Sequence, residues 1–325
     1  MRRLLLTTPV AAAALLLTAC GTTEPAATEA KESAGTITLT DASGTEVELD
    51  GPAKKVVGTE WNVVETLISL GVDPAGVADV KGYKTWNTAV PLTDEPKDIG
   101  TRGEPSMDTI ASLKPDLIVA TSDLQPNAVK QLRKVAPVLT VTSADASGQM
   151  EQMLENVDLI AEATGTTEQA ATLKKDFDAK LAEGEKALAD AGLDGAEIAF
   201  ADGYVTSNQV SVRPYTSDSL IGEVNERLGL KNAWKMKGDE AYGLAATDVE
   251  GLTDLGKDVR FAYIGSDGDP NSDPFGNQLA KNSVWKSLPF VKAGDVHRLS
   301  DGIWMFGGPG SMGAYSDAVV EALTK

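Results

Sequence analysis

The sequence predicts an α/β protein of two Rossmann-like lobes joined by a long rigid helix, with a cleft between the lobes. Three observations predict it. Short apolar strands alternate with helical stretches up to Val141, a charged Ala- and Leu-rich run without proline covers Gln149 to Ala191, and a second alternating set follows. Strands that alternate with helices imply a mostly parallel sheet covered on both faces.

Thr36-Ile37-Thr38-Leu39-Thr40 and Glu46-Val47-Glu48-Leu49 alternate polar with apolar around Ala42-Ser43-Gly44, the pattern of a hairpin with one buried face. Lys55-Val56-Val57-Gly58 is a short strand. Apolar groups then recur at helical spacing from Trp61 to Leu70, and Gly71 stops that helix. Strands follow at Ala75 to Ala78, Asp116 to Ala120 and Val138 to Val141, with helices at Ser106 to Leu113 and Pro126 to Val135. The run from Gln149 to Ala191 has only Gly165 and Gly184 as weak points, so it is a helix pair or one long helix. The second lobe takes strands at Glu197 to Phe200, Gln209 to Val212, Arg260 to Ile264 and Asp295 to Leu299. Its helical segments fall near Ser219 to Leu228, Asp248 to Leu255 and Tyr315 to Leu323. The resulting division is a leader over 1–19, a tether over 20–35, a first lobe over 36–146, a helical connection over 147–193 and a second lobe over 194–325.

The N-terminus carries an address. Met1-Arg2-Arg3 is a cationic head, and Leu4 to Leu17 is apolar apart from two threonines and a proline, too short to span a bilayer stably. It closes on Leu17-Thr18-Ala19-Cys20, which resembles the lipobox of bacterial lipoproteins. Cys20, the only cysteine, is thereby expected to carry the lipid that anchors the chain on the extracytoplasmic face of the cell membrane. Gly21 to Gly35 holds almost no large apolar group and cannot build a core, so it serves as the tether.

Composition excludes several functions. Removal of Arg2 and Arg3 with the leader takes the formal net charge from −19 to −21, and so acidic a body has no electrostatic affinity for nucleic acid or an anionic lipid surface. His297 is the only histidine, so no Ser-His-Asp or Cys-His constellation can be assembled, and His297 is expected at the surface or a rim. Catalysis is not expected. Zinc and manganese sites draw on histidine or cysteine clusters that are absent, so neither a resident metal nor a cofactor is expected. Gly302 and Gly307-Gly308-Pro309-Gly310 lack the lysine and hydroxyl residue of a phosphate loop and are turns near a binding cleft. A metal that arrives already chelated is different. Such a guest needs aromatic walls and one or two guanidiniums, whose planar forks bond two oxygens at once.

Those groups stand in a recognisable succession. Glu60-Trp61-Asn62-Val63-Val64-Glu65-Thr66-Leu67, Leu70-Gly71-Val72, Gly76-Val77-Ala78-Asp79, Tyr83, Trp86 and Pro91-Leu92 lead to Asp98-Ile99-Gly100-Thr101-Arg102-Gly103-Glu104-Pro105 and Leu113-Lys114-Pro115-Asp116. Asn232-Ala233-Trp234, the stretch Trp285 to Gly294, and Gly302-Ile303-Trp304-Met305-Phe306-Gly307 follow in the same order. Over nearly the whole mature chain this resembles the ferric hydroxamate-binding proteins of bacterial siderophore importers. The resemblance implies a monomeric, non-catalytic protein that takes an iron(III)-siderophore complex, a ferric hydroxamate, and delivers it to an ABC permease and its ATPase. It places Trp86 and Arg102 at first-lobe ligand positions and Trp304 and Phe306 at second-lobe ones. Tyr242 stands where the family can place a tryptophan and Phe306 where it can place a tyrosine, so one stacking surface is smaller and one hydroxyl is lost. Arg213 and Tyr215 of Arg213-Pro214-Tyr215 are expected to line the cleft as well. Asp108 and Glu250 match the acidic residues that meet permease arginines, with Glu104 a rival for Asp108. The alternatives are a binder of another iron chelate such as ferric citrate, of haem or of cobalamin on the same fold, and a surface-anchored carboxylate hydrolase.

Overall fold

The computed structural model describes residues 35–206, 209–267 and 270–325, all within a single unit, Ala34–Lys325. The leader, Cys20 and the tether up to residue 34 lie outside the described residues.

β1 (Ile37–Thr40) and β2 (Glu46–Leu49) form an antiparallel hairpin with Leu39, Val47 and Leu49 turned inward. Its turn is organised by Asp41, whose Oδ1 accepts the amides of Ser43 and Thr45, each at 2.9 Å.

The first lobe continues with β3 (Val56–Gly58), α1 (Trp61–Ser69), β4 (Gly76–Val77), α2 (Val80–Trp86), β5 (Lys97–Asp98), α3 (Met107–Leu113), β6 (Leu117–Thr121), α4 (Pro126–Leu132) and β7 (Val138–Val141). All strands pair in parallel in the order β5-β4-β3-β6-β7. β3, β6 and β7 are buried along their whole length, as strands covered on both faces must be. From β3 the chain moves outward through β4 to β5, then returns past β3 to β6. That reversal opens a crevice at the carboxyl ends of the strands, where open α/β sheets take their ligands.

α5 (Gln149–Thr164) and α6 (Thr167–Asp190) follow as a helix pair, broken at Gly165. Gly165 has φ +70°, and a Cβ there would come within 2.9 Å of the Pro52 ring. Both helices span the lobes. α5 contributes Met153 to the second-lobe core and Val157, Ile160 and Ala161 to the first. α6 contributes Ala170 to the first and Phe177, Leu181 and Leu188 to the second. At 24 residues α6 is about 36 Å long.

The second lobe contains β8 (Glu197–Thr206), β9 (Gln209–Pro214), α7 (Leu220–Arg227), β10 (Lys231–Asn232), β11 (Arg260–Tyr263), α8 (Ser283–Ser287), α9 (Pro289–Ala293), β12 (Val296–Arg298) and α10 (Pro309–Thr324). β10-β8-β11-β12 run in parallel, and β9 folds back antiparallel on β8. Aromatic packing fills one face, with Phe261 stacked on Phe290 at 5.4 Å and edge-on to Trp285.

The sequence reading did not place α2, β5, β10, α8 or α9, and three of the elements it did place differ. The strand expected to stop at Phe200 runs on to Thr206, because β9 gives its outer half a partner. The helix expected over Asp248 to Leu255 is a single 3-10 turn, Gly251–Asp254. The last helix begins six residues before Tyr315, at Pro309, whose fixed φ suits the first helical position.

Candidate functional site

A cavity of about 720 Å³ opens between the lobes. Its first-lobe wall comes from the segments that follow the parallel strands at their carboxyl ends. Glu60 follows β3, Asp79 follows β4, Arg102 follows β5 and Asp123 follows β6. The second lobe answers with Arg213, Tyr242, Trp304 and Phe306.

Arg102 stands on a tight loop. Gly100 and Pro105 pair across its base, and the Ser106 amide donates to the Ile99 carbonyl at 2.6 Å. Its Nη1 donates to Glu60 Oε1 at 2.7 Å, and the guanidinium lies over Trp61, 4.1 Å from the ring centroid, and 5.2 Å from that of Trp304. The Arg102 side chain is 34% exposed and that of Glu60 21%. Glu60 also receives the Trp61 amide at 2.8 Å, at the start of α1. One carboxylate thus fixes both the aromatic ring and the cation above it.

Arg213 is oriented from its own lobe. It faces Asp202 across the β8–β9 register, donates through Nε to Asp202 Oδ1 at 2.8 Å and through Nη2 to Oδ2, and lies 5.4 Å from the Phe306 ring centroid. Two donors of its fork are therefore committed to Asp202.

Tyr242 is presented by a loop wound around Asp239, whose carboxylate accepts the amides of Ala241, Tyr242 and Leu244. Burial pushes the Asp239 carboxyl up, but these amides outweigh it and hold it below the usual carboxylate range. The Tyr242 hydroxyl donates to Asp123 Oδ2 at 3.0 Å, which joins the lobes across the cavity. Burial and then Asp123 push this phenol up to about 12, so it is a protonated donor at neutral pH.

Of the residues singled out in the sequence, the cavity brings together Arg102, Arg213, Tyr242, Trp304 and Phe306. Tyr215 is buried behind it, where with Asn62, Gln149 and Met305 it lines a second cavity of about 40 Å³; its hydroxyl donates to Asp202 Oδ2 at 3.3 Å. Trp86 is half-buried against the Trp61–Tyr83 cluster and lines neither cavity. Asp108, in the first turn of α3, and Glu250, beside the 3-10 turn, are exposed, as is Glu104. His297 is half-buried on the edge strand β12, and it is not among the cavity residues. Sequence reasoning missed Glu60, Trp61 and Asp123. Glu60 and Trp61 sit at a helix start, a recognisable position, but nothing in the sequence pairs Glu60 with an arginine 42 residues on. Among the described residues no group of His, Cys, Asp or Glu is placed to hold a bare metal ion.

A family model described as "Periplasmic binding protein" matches residues 56–301. The probable siderophore-binding lipoprotein YfiY of Bacillus subtilis is 28% identical over 313 residues, covering 91% of this chain and 90% of the relative. The Fe(3+)-citrate-binding protein YfmC of the same organism is 29% identical over 265 residues, covering 79% and 76%. Among solved structures, the siderophore-binding protein FhuD of Vibrio cholerae bound to Fe3+-Desferal superposes with a TM-score of 0.74 at 25% identity, covering 83% of this chain and 98% of that one.

Proposed function

Because the chain belongs to the periplasmic binding protein family, we propose that it is an extracytoplasmic lipoprotein that captures a ferric hydroxamate siderophore in the interlobe cavity and hands it to the permease of an ABC importer. The fold is that of non-catalytic substrate-binding proteins, and relatives that bind siderophores or ferric citrate support an iron chelate as the cargo.

One observation carries the choice of chelate. Glu60, Asp79 and Asp123 set three carboxylates of the lining against the two guanidiniums of Arg102 and Arg213, and both guanidiniums are already ion-paired within their own lobes, Arg102 by Glu60 and Arg213 by Asp202 outside the lining. A cavity with excess negative charge repels an anionic guest. Ferric citrate and ferric tris-catecholate complexes are anionic, whereas three monoanionic hydroxamates neutralise Fe(III). The neutral complex still exposes partly negative oxygens, and the donors of Arg102 not engaged by Glu60 suit them. Trp304, Phe306 and Tyr242 supply apolar wall for the organic part, and a cavity of about 720 Å³ falls within the usual range for small-molecule sites. Asp108 and Glu250 are the acidic contacts assigned to the permease, and Cys20 is assigned the lipid.

Intrinsic tryptophan fluorescence tests this reading. Trp304 lines the cavity and Trp61 stacks beneath Arg102, so a coloured ferric trihydroxamate should quench the emission at submicromolar concentration. An equal or stronger response to a ferric catecholate, to ferric citrate or to cobalamin overturns the ligand class.

A further inference from the structure

We propose that Glu65 is the positioning residue of the cleft: its carboxylate ties the segment that carries Trp304 and Phe306 to the first lobe, and so sets the separation of the lobes. Glu65 lies on α1 with no solvent exposure. Its Oε1 accepts the Ser311 amide at 2.8 Å, and its Oε2 accepts the Ser311 hydroxyl at 2.6 Å and the Asn87 amide nitrogen at 2.8 Å. Ser311 is the third residue of α10, and Gly308, which precedes that helix, has no side chain to cap it. A carboxylate from the opposite lobe therefore satisfies an amide that a helix normally caps locally, where the helix dipole favours negative charge.

The segment is stitched at its other end too. The Gly302 carbonyl accepts the amides of Thr88 at 2.8 Å and Ala89 at 3.0 Å, both from the first lobe. Between the stitches stand Trp304, whose ring meets first-lobe Trp61 at 4.7 Å, and Phe306, whose ring meets second-lobe Tyr242 at 5.5 Å. The close approach leaves no room at Gly307, where a Cβ would come within 2.4 Å of Glu65 Oε2. The aromatic wall thus belongs to the second lobe by sequence and to the first by attachment. Removal of the carboxylate leaves the Ser311 amide and the Asn87 amide nitrogen without this acceptor, leaves the Ser311 hydroxyl only its 3.4 Å contact to Asn87 Oδ1, and frees one end of the wall.

The test uses the full chain with Cys20→Ser, so that only introduced cysteines react, and with spin labels at exposed Lys130 and Lys257 after Lys130→Cys and Lys257→Cys. Pulsed electron resonance without ligand should give one narrow distance distribution for the parent and a broader, shifted one for Glu65→Ala. Glu65→Gln, which keeps one carbonyl acceptor, should fall between the two, and Ser311→Ala should shift the same way as Glu65→Ala but less. The affinity arm rests on the ligand reading above. Ferrioxamine B should bind Glu65→Ala at least tenfold more weakly than the parent, with thermal melting run beside it to separate loss of folding from loss of position. Distributions identical to the parent in folded Glu65→Gln and Ser311→Ala overturn the proposal, whatever happens to Glu65→Ala. A parent that ignores ferrioxamine B counts against the ligand reading alone, because the distance measurement still decides the role of Glu65.

Discussion

Replacing Arg102 with glutamine should weaken binding of a ferric trihydroxamate roughly ten- to a hundredfold, and the structure explains both the size and the ranking. A hydrogen bond from a charged donor contributes about 1.5–3 kcal/mol, and about 1.4 kcal/mol is one decade of affinity. One Arg102 donor is held by Glu60 and the guanidinium is a third exposed, so the lower half of that range is expected. Stacking on Trp61 at 4.1 Å holds the cation in place before the ligand arrives, which limits the ordering cost of binding. Arg213→Gln should cost less, because Nε and Nη2 of Arg213 are both committed to Asp202. Glu60→Gln should move affinity the other way, since it releases the Arg102 donor and removes one negative charge from the cavity wall. Titration calorimetry is the appropriate assay, because Arg102 and Glu60 both touch Trp61 and their substitution alters its emission directly. Parent-like affinity in Arg102→Gln and in the double substitution with Arg213→Gln would refute the electrostatic argument and leave recognition to shape and stacking.

Asp108→Ala with Glu250→Ala should leave ligand affinity unchanged and lower iron uptake by cells, most strongly in combination; unchanged uptake would move the first-lobe contact to Glu104 or elsewhere. Cys20→Ser should release the protein from the membrane fraction without weakening ligand binding, and a variant still processed and lipidated like the parent would refute the anchor. Asp41→Asn should destabilise the fold by about 1–2 kcal/mol at neutral pH, measured by urea unfolding. Burial pushes the Asp41 carboxyl up, but its bonds to Ser43, Thr45 and Thr140 outweigh that and hold it below its ordinary value. The depressed folded-state value means that the contribution is present above the unfolded pKa and is lost as pH falls through the folded one. The difference between parent and variant should therefore shrink below a pH of about 4, and a gap that stays constant into acid would contradict the assignment.

The fold was legible where local pattern and tertiary packing agree. Strict alternation marked the β1–β2 hairpin, unbroken apolar strands marked β6 and β7, and of the two weak points Gly165 and Gly184 only the first breaks the helical run, the second lying inside α6. α2 is a short helix capped by Asp79 in the left-handed region, a conformation that nothing in the apolar spacing announces. Pro309 and its flanking glycines carry the signs of a turn, yet they begin α10 because Glu65 supplies the cap from the other lobe. The site was legible as residue types and much less as geometry. Arg102, Arg213, Tyr242, Trp304 and Phe306 stood out in the sequence and share one cavity, while Trp86 and Tyr215 stood out equally and pack outside it. Glu60 and Asp123 act through partners 42 and 119 residues away, and sequence spacing carries no trace of such pairs.

Recognition of a neutral iron chelate by the cleft is decided by calorimetric titration with one trihydroxamate in its ferric and iron-free forms, beside ferric citrate and a ferric tris-catecholate. The ferric trihydroxamate should fill a single saturable site per chain, with the iron-free form and both anionic complexes at least tenfold weaker. Tighter binding of either anionic complex, or no saturable heat with the ferric trihydroxamate, would contradict it.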